Sequence, residues 1–254
     1  MVNSPLMPVW IAILLSAFFT AVISGVFGMA GGLVFMGIIA VVLGVAEAMV
    51  VHGAVQSISN SSRAWMLWRD VRWDILGWIA VGALPAAAAM LAVSFLPSKA
   101  GLYLALGLLP LLLWLPRRWL AGDAERPAHA VLCGAMVMGL NLSAGVAGPA
   151  MDVFFIKTAL SRQAIVATKA VAMFASHMVK IAYFGVPLAR EAGLSGLPPW
   201  WFFAAAVPVS IAGTYVGTRL LRRFSDVGFK RYTRWLVTGV GAVYVWRGLS
   251  LLSV

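Results

Sequence analysis

The stretch Gly25-Val-Phe-Gly28-Met-Ala-Gly31-Gly32 interrupts an apolar segment that runs from residue 8 to residue 45. A second cluster, Gly145-Val-Ala-Gly148-Pro149, interrupts the apolar segment 128–160 in the same way. One membrane crossing takes about 20 residues, so each segment is too long for a single helix. Glycine loosens a helix and proline removes one of its N–H donors. We therefore predict that each segment is broken at its cluster and folds as a helical hairpin.

The composition places the whole chain in a membrane. Of its 254 residues 62% are hydrophobic and 11% are charged, and the mean hydropathy is +0.95. A soluble domain of this length needs far more polar surface. Six further apolar segments have the length of one crossing: 47–68, 73–96, 99–116, 163–185, 200–221 and 229–252. We predict an all-α polytopic membrane protein.

Several classes of function are disfavoured by what the sequence lacks. It contains no nucleotide-binding loop, no zinc-ligand spacing and no Gly-x-Ser-x-Gly nucleophile elbow. The net charge of +11 would suggest a nucleic-acid partner in a soluble protein, but here it fits short basic loops on one side of a membrane. We expect no enzyme activity, no cofactor, no metal and no nucleic-acid partner.

The two halves of the chain repeat. A shift of 117 residues lays the first glycine cluster on the second. The same shift carries His52, Gln56, Ser59, Asn60 and Arg63 onto Lys169, Met173, Ser176, His177 and Lys180. Matching helix breakers and matching polar positions at one shift predict two repeats, 1–122 and 123–254, that form one transporter domain.

The basic residues decide between two topologies. If each broken segment crossed the membrane once, the basic loop residues would be split evenly between the two sides. If each is a hairpin, only Lys99, Arg190 and Arg247 lie outside, Lys169 and Lys180 lie within the membrane, and the other basic residues lie inside. Basic residues mark the cytoplasmic side. The hairpin topology puts both termini outside and inverts the second repeat, an arrangement that recurs in secondary transporters.

The two breaks are the first candidate for a substrate site. Irregular backbone survives in a membrane only where it is buried in protein or lines a wet cavity, and a helix that restarts there directs its positive dipole end at the break. This predicts an anion site at Gly28, Met29, Ala30, Gly31, Gly32, Gly145, Val146, Ala147 and Gly148. The alternative is close helix packing through small residues.

Polar helix faces supply the second set of candidates. His52, Gln56, Asn60 and Arg63 are spaced four, four and three residues apart and share one face, and Lys169, His177 and Lys180 share the matching face of the second repeat. Such side chains are costly in a membrane and usually face a cavity or a partner. The alternatives are a core histidine at residue 52, pairing of Lys169 with Asp152, and snorkelling of Arg63 and Lys180 to the interface.

Asp152 is a candidate for proton coupling. It lies just inside the half-helix predicted to begin near Pro149. A carboxylate there would compete with an anionic ligand for the same positive field, unless it were protonated or paired with a cation. A capping carboxylate at a helix N-terminus is the simpler interpretation.

These residues carry a resemblance to a known family. Gly145-Val-Ala-Gly148-Pro149, Phe154-Phe155, Val166-Ala-Thr-Lys169-Ala and His177-x-x-Lys180 through Phe184-Gly185 resemble the second repeat of the TauE/SafE family of sulfite and organosulfonate transporters. The first cluster is similar to that family's glycine-rich motif but lacks its usual third glycine and following proline. The resemblance covers nearly the whole chain. It implies movement of small sulfur oxyanions or related organic anions across the bacterial inner membrane, coupled to protons.

The sequence therefore predicts a secondary transporter that binds a small anion between two broken hairpins. Its partners would be the anion, protons and the lipid bilayer, and a homo-oligomer is compatible with this interpretation. A passive anion channel would use the same residues without a titrating group. An intramembrane enzyme would need a metal site built from His52, His177 and Asp152, whose spacing fits no metal motif.

Overall fold

A computed structural model describes residues 7–27, 30–114, 122–193, 197–221 and 226–253. Within these ranges the chain is all helical and contains no strand, which confirms the predicted fold class. The α-helices are α1 (Met7–Phe27), α2 (Ala30–Val42), α3 (Val45–Met66), α4 (Trp73–Ala92), α5 (Lys99–Leu108), α6 (Pro127–Ser143), α7 (Gly148–Phe154), α8 (Arg162–Ala192), α9 (Trp200–Leu221) and α10 (Asp226–Ser250).

The first overlong segment is broken where the sequence predicts. Helix α1 ends at Phe27 and α2 begins at Ala30, and α2 packs against α1. At Gly31 an added Cβ would lie 2.1 Å from the Thr20 carbonyl oxygen, so only glycine fits there. Close packing therefore explains this glycine. Gly28 and Met29 lie outside the described residues.

The second segment is broken by a short non-helical stretch. Helix α6 ends at Ser143, and Gly145 has φ +73°, a left-handed conformation that glycine adopts without strain. Helix α7 then starts at Gly148, with Pro149 in its first turn, where a missing N–H interrupts no helical bond. The apolar segment was predicted to extend to residue 160, but α7 ends at Phe154. The second break thus leads into a half-helix of two turns.

The six other predicted helices are present, with two changes of length. Helix α5 ends at Leu108 and continues as a 3₁₀ turn through Leu113, because Pro110 cannot donate an α-helical hydrogen bond. Helix α8 runs on past the predicted residue 185 to Ala192, with Pro187 inside it. Four stretches of the described chain are long and apolar enough to span a membrane: Met7–Ser24, Trp73–Ala92, Arg162–Glu191 and Trp200–Gly217.

The outer surface suits a lipid environment. Large apolar side chains are exposed on several helices, among them Phe19, Leu84, Trp200 and Trp246. Water would make so much exposed apolar surface unfavourable, whereas lipid tails contact it without penalty. The buried core lies between the helices, and much of it belongs to α2, α3 and α5.

The most extensive helix contacts follow a regular scheme. They are α1 with α9, α4 with α6, α3 with α8, and α5 with α10. Taken in order, helices α1 to α5 of the first half correspond to α6 to α10 of the second. When each helix is replaced by its counterpart, the contact of α1 with α9 becomes the contact of α6 with α4. The contacts of α3 with α8 and of α5 with α10 are unchanged. A two-fold relation between repeats would produce this pattern. The orientation of the repeats in the membrane stays a prediction.

Candidate functional site

The site lies where α3 crosses α8. The two helices meet at Gly53, where an added Cβ would lie 2.8 Å from Ile181 Cγ1 and 3.3 Å from Lys180 Cε. This close approach brings the polar face of α3 against the polar face of α8. The periodicity of polar residues had predicted both faces, but not that they meet.

A pocket opens beside this crossing, with about 360 Å³ of empty space including its mouth. It draws on both halves of the chain and on both glycine breaks. Its lining residues are Ser24, Gly32, His52, Gln56, Asn60, Arg63, Val146, Ala147, Gly148, Met173 and His177. Three of them are basic in type and none is a carboxylic acid. A pocket with this lining favours an anion over a cation.

A hydrogen-bonded chain joins the two breaks beneath the pocket. His52 Nε2 lies 3.0 Å from the Gly32 carbonyl oxygen, and Lys180 Nζ lies 2.8 Å from His52 Nδ1. Lys180 also donates to the Gly145 carbonyl oxygen at 2.9 Å. Lys180 is completely buried, which argues against the alternative that it snorkels to the interface. The chain runs from the first break, through α3 and α8, to the second break.

His177 lines the pocket. It is 1% exposed, and its ring centroid lies 5.6 Å from that of His52. Its Nδ1 atom is buried and has no hydrogen-bond partner in the described structure. A buried polar atom without a partner is unfavourable, so a group that enters the pocket could supply the missing bond.

Arg63 is the pocket's permanent positive charge. It lies one α3 turn beyond Asn60, is partly buried and lines the pocket. Snorkelling was the alternative expected for it, and its place in the pocket favours the binding interpretation. The neighbouring Asn60 Nδ2 donates to the Gln56 carbonyl oxygen at 2.9 Å, which fixes the amide on the same face.

Lys169 and Asp152 form an ion pair with each other. The Lys169 ammonium donates to the Asp152 carboxylate, across from α8 to α7, and neither residue lines the pocket. Pairing was the alternative considered for Lys169. The structure thus brings His52, Gln56, Asn60 and His177 to the pocket and leaves Lys169 and Asp152 beside it.

Some of the residues predicted at the two breaks line the pocket and others do not. Gly32, Val146, Ala147 and Gly148 line the pocket, and Gly145 is connected to it only through Lys180 and His52. Ala30 and Gly31 are buried at the start of α2, away from the lining.

Sequence reasoning missed four contributors to the site. Ser24 and Met173 line the pocket without having been proposed, and Arg63 and Lys180 were not among the predicted binding residues. For Lys180 a signal was present, because it shares a helix face with His177 one turn earlier. For Ser24 there was none, since nothing in α1 predicts which of its faces turns toward the pocket.

Metal chemistry receives no support from side-chain positions. Across the ranges that the structure describes, no group of three or more His, Cys, Asp or Glu side chains could hold a metal ion.

The fold and the site together define a polytopic membrane protein with a basic pocket between two broken helical segments. The family model "Sulfite exporter TauE/SafE" matches residues 13–244. The chain belongs to this family of membrane transporters for sulfite and related anions. No curated protein and no solved structure matches the chain at a significant level.

Proposed function

We propose that this protein is a secondary transporter that binds one small anion in the central pocket and carries it across the bacterial inner membrane by alternating access. The candidate substrates are sulfite, an organosulfonate or a related organic anion. The observation that carries the proposal is the lining itself: Arg63, His52 and His177 converge on a pocket that no described carboxylate lines.

The position of the pocket supports transport rather than storage of an anion. It lies at the junction of two broken segments, which is where inverted-repeat transporters hold their substrates. Its lining comes from α1 to α3 on one side and from α8 and the second break on the other. Rocking of one repeat against the other would therefore open the pocket alternately to the two sides of the membrane.

Coupling to the proton gradient is part of the proposal. The sequence assigns that role to Asp152. Its carboxylate is held by Lys169 outside the pocket, so it could affect a bound anion only through that lysine.

Counterflow into proteoliposomes tests the transport proposal. Vesicles loaded with unlabelled sulfite should take up labelled sulfite transiently above the equilibrium level. That overshoot is expected of a carrier and not of a channel. Methanesulfonate, taurine, acetate and phosphate inside the vesicles would define the substrate class. Labelled sulfite that equilibrates without an overshoot would support the channel alternative, and no protein-dependent flux of any of these anions would overturn the proposal.

The proposed topology has both termini outside, as the basic loops indicate. The loops at 97–99 and 190–198 would then be extracytoplasmic, and those at 69–74, 117–126 and 222–228 cytoplasmic. Leu96 and Asp70 are exposed at opposite ends of this scheme. In a variant whose buried Cys133 is replaced by Ala, Leu96→Cys should react with an impermeant maleimide from outside, and Asp70→Cys only after permeabilisation. Labelling of Asp70→Cys from outside, and of Leu96→Cys only after permeabilisation, would contradict the hairpin topology.

A further inference from the structure

We infer that Lys180 and His52 form a single proton-binding unit, and that this unit takes up one proton from solution when an anion enters the pocket. The inference rests on the proposed function and names the coupling group of the same site. It moves that role from Asp152 to a pair whose histidine lines the pocket.

The hydrogen bonds fix how many protons the pair holds. A carbonyl oxygen only accepts, so the 3.0 Å contact of His52 Nε2 with Gly32 requires a hydrogen on Nε2. A neutral His52 therefore presents an unprotonated Nδ1 to Lys180, 2.8 Å away. A second proton on His52 would set two cations against each other. The pair is consequently either singly positive or neutral.

The surroundings make the positive form depend on an anion. Lys180 and His52 are 0% and 1% exposed, and burial of an unpaired charge is unfavourable. None of the ion pairs among the described residues includes Lys180. The missing negative charge would be the ligand, because His52 itself lines the pocket.

The neighbouring elements do not supply a counter-charge. Helix α2 and the segment 144–147 contain no titratable residue. Helix α3 adds Glu47 in its first turn and Arg63, and α8 adds His177 and Lys169, whose ammonium is already paired with Asp152 on α7. Arg63 and the unpartnered His177 Nδ1 favour a negative ligand, so the proton and the anion should bind together.

The same unit reaches both repeats. Through His52 it is bonded to the first break and through Lys180 to the second. Loss of the proton leaves a neutral amine with two N–H groups, which still reach both acceptors but are no longer strengthened by charge, so the link between the halves weakens. Release of the anion, release of the proton and loosening of the repeats would then be one event.

Calorimetric titration of the purified protein in buffers of different ionisation enthalpy measures this proton uptake. We expect wild type to take up a proton with methanesulfonate, whose own charge is constant, and to bind it up to about tenfold more tightly for each unit that the pH falls. In Lys180→Arg the charge is permanent, so binding should persist without a pH slope and proton uptake should disappear. The surface substitution Lys157→Arg is the matched control and should behave as wild type.

If sulfite binds and methanesulfonate does not, the difference in uptake between wild type and Lys180→Arg is the measure, because the titration of sulfite is common to both. Lys180→Met, which should bind weakly and without proton uptake, replaces Lys180→Arg if the latter does not fold. Anion binding by wild type without proton uptake would overturn this inference alone, and undiminished uptake in either variant would assign the proton elsewhere. Absence of binding by sulfite, methanesulfonate and sulfate would overturn the proposed function and the inference with it.

Discussion

Two pairs of basic residues occupy corresponding positions in the two halves and behave differently. The 117-residue shift relates His52 to Lys169 and Arg63 to Lys180, so the pair His52–Lys180 corresponds to the pair Lys169–Arg63. In the first pair the side chains are hydrogen-bonded and fully buried. In the second pair Arg63 acts on Lys169 only through electrostatic repulsion, and Lys169 turns away to Asp152.

The carboxylate makes the difference. Asp152 neutralises Lys169, so the second pair leaves one permanent charge, that of Arg63, on the pocket. No described carboxylate neutralises Lys180, so the first pair keeps a charge that depends on its proton. The predicted repeat would thus supply one fixed and one adjustable positive charge, which is what the proposed co-binding of an anion and a proton requires.

Removal of the fixed charge should have the largest effect. Arg63→Gln should weaken anion binding about hundredfold, because hydrogen bonds to charged groups contribute about 1.5–3 kcal/mol each and nothing else in the pocket keeps its charge at all pH values. Thermal stabilisation by sulfite, measured as a function of concentration, checks this. Arg69→Gln, in the exposed turn after α3, is the control. Equal affinity in Arg63→Gln and wild type would remove Arg63 from the site.

A change in the spacing of α3 and α8 should have the second largest effect on anion binding. In the second half Ala170 occupies the position that corresponds to Gly53. Gly53→Ala therefore puts a methyl group after His52, as Ala170 already does after Lys169. The added methyl would meet Ile181 and Lys180, and overpacking of this kind costs about 1–3 kcal/mol. We expect about tenfold weaker anion binding. Gly77→Ala on α4, with open space around its Cβ position, should leave binding unchanged. A Gly53→Ala protein with wild-type affinity would show that the crossing does not set the Lys180–His52 contact.

A smaller effect on binding is expected at Lys169, in contrast to the sequence prediction that it binds the anion. Lys169→Met should leave anion affinity within about threefold of wild type, because the lysine is paired outside the pocket. The substitution should lower thermal stability, because it leaves the Asp152 carboxylate without its partner. The double variant Lys169→Met/Asp152→Asn should recover that stability. Loss of binding in the double variant would return Lys169 to the site.

The smallest effect is expected at Asp152. Asp152→Asn should retain the pH dependence of anion binding and proton-driven accumulation, since the titrating unit contains neither Asp152 nor Lys169. Uptake of labelled sulfite into proteoliposomes under an imposed pH gradient measures accumulation. An Asp152→Asn protein that exchanges sulfite but no longer accumulates it would restore Asp152 as the coupling group.

The sequence predicted the helices and both breaks because their causes are local. Apolar segment length, Gly145 and Pro149 act within a few residues of themselves, and so does the polar periodicity that marked His52 and His177. It did not predict that Lys180 is buried, since that depends on how closely α3 and α8 approach at Gly53. The position of Ser24 on the pocket lining depends on how α1 packs against α2 and α9, which is equally non-local. Lys169 pairs with Asp152, whereas the corresponding residue His52 bonds to Lys180. Such a difference in partner depends on tertiary packing, and a sequence repeat does not predict it.

Anomalous diffraction from crystals grown with selenite, a heavier analogue of sulfite, would test the central claim most directly. Binding in the pocket predicts a selenium peak among Arg63, His52 and His177, within hydrogen-bonding reach of the His177 Nδ1 atom that has no partner in the described structure. The peak should vanish when excess sulfite is added. A selenium peak beside Lys169, or occupied selenium sites only outside the pocket in a protein that binds sulfite in solution, would contradict the account.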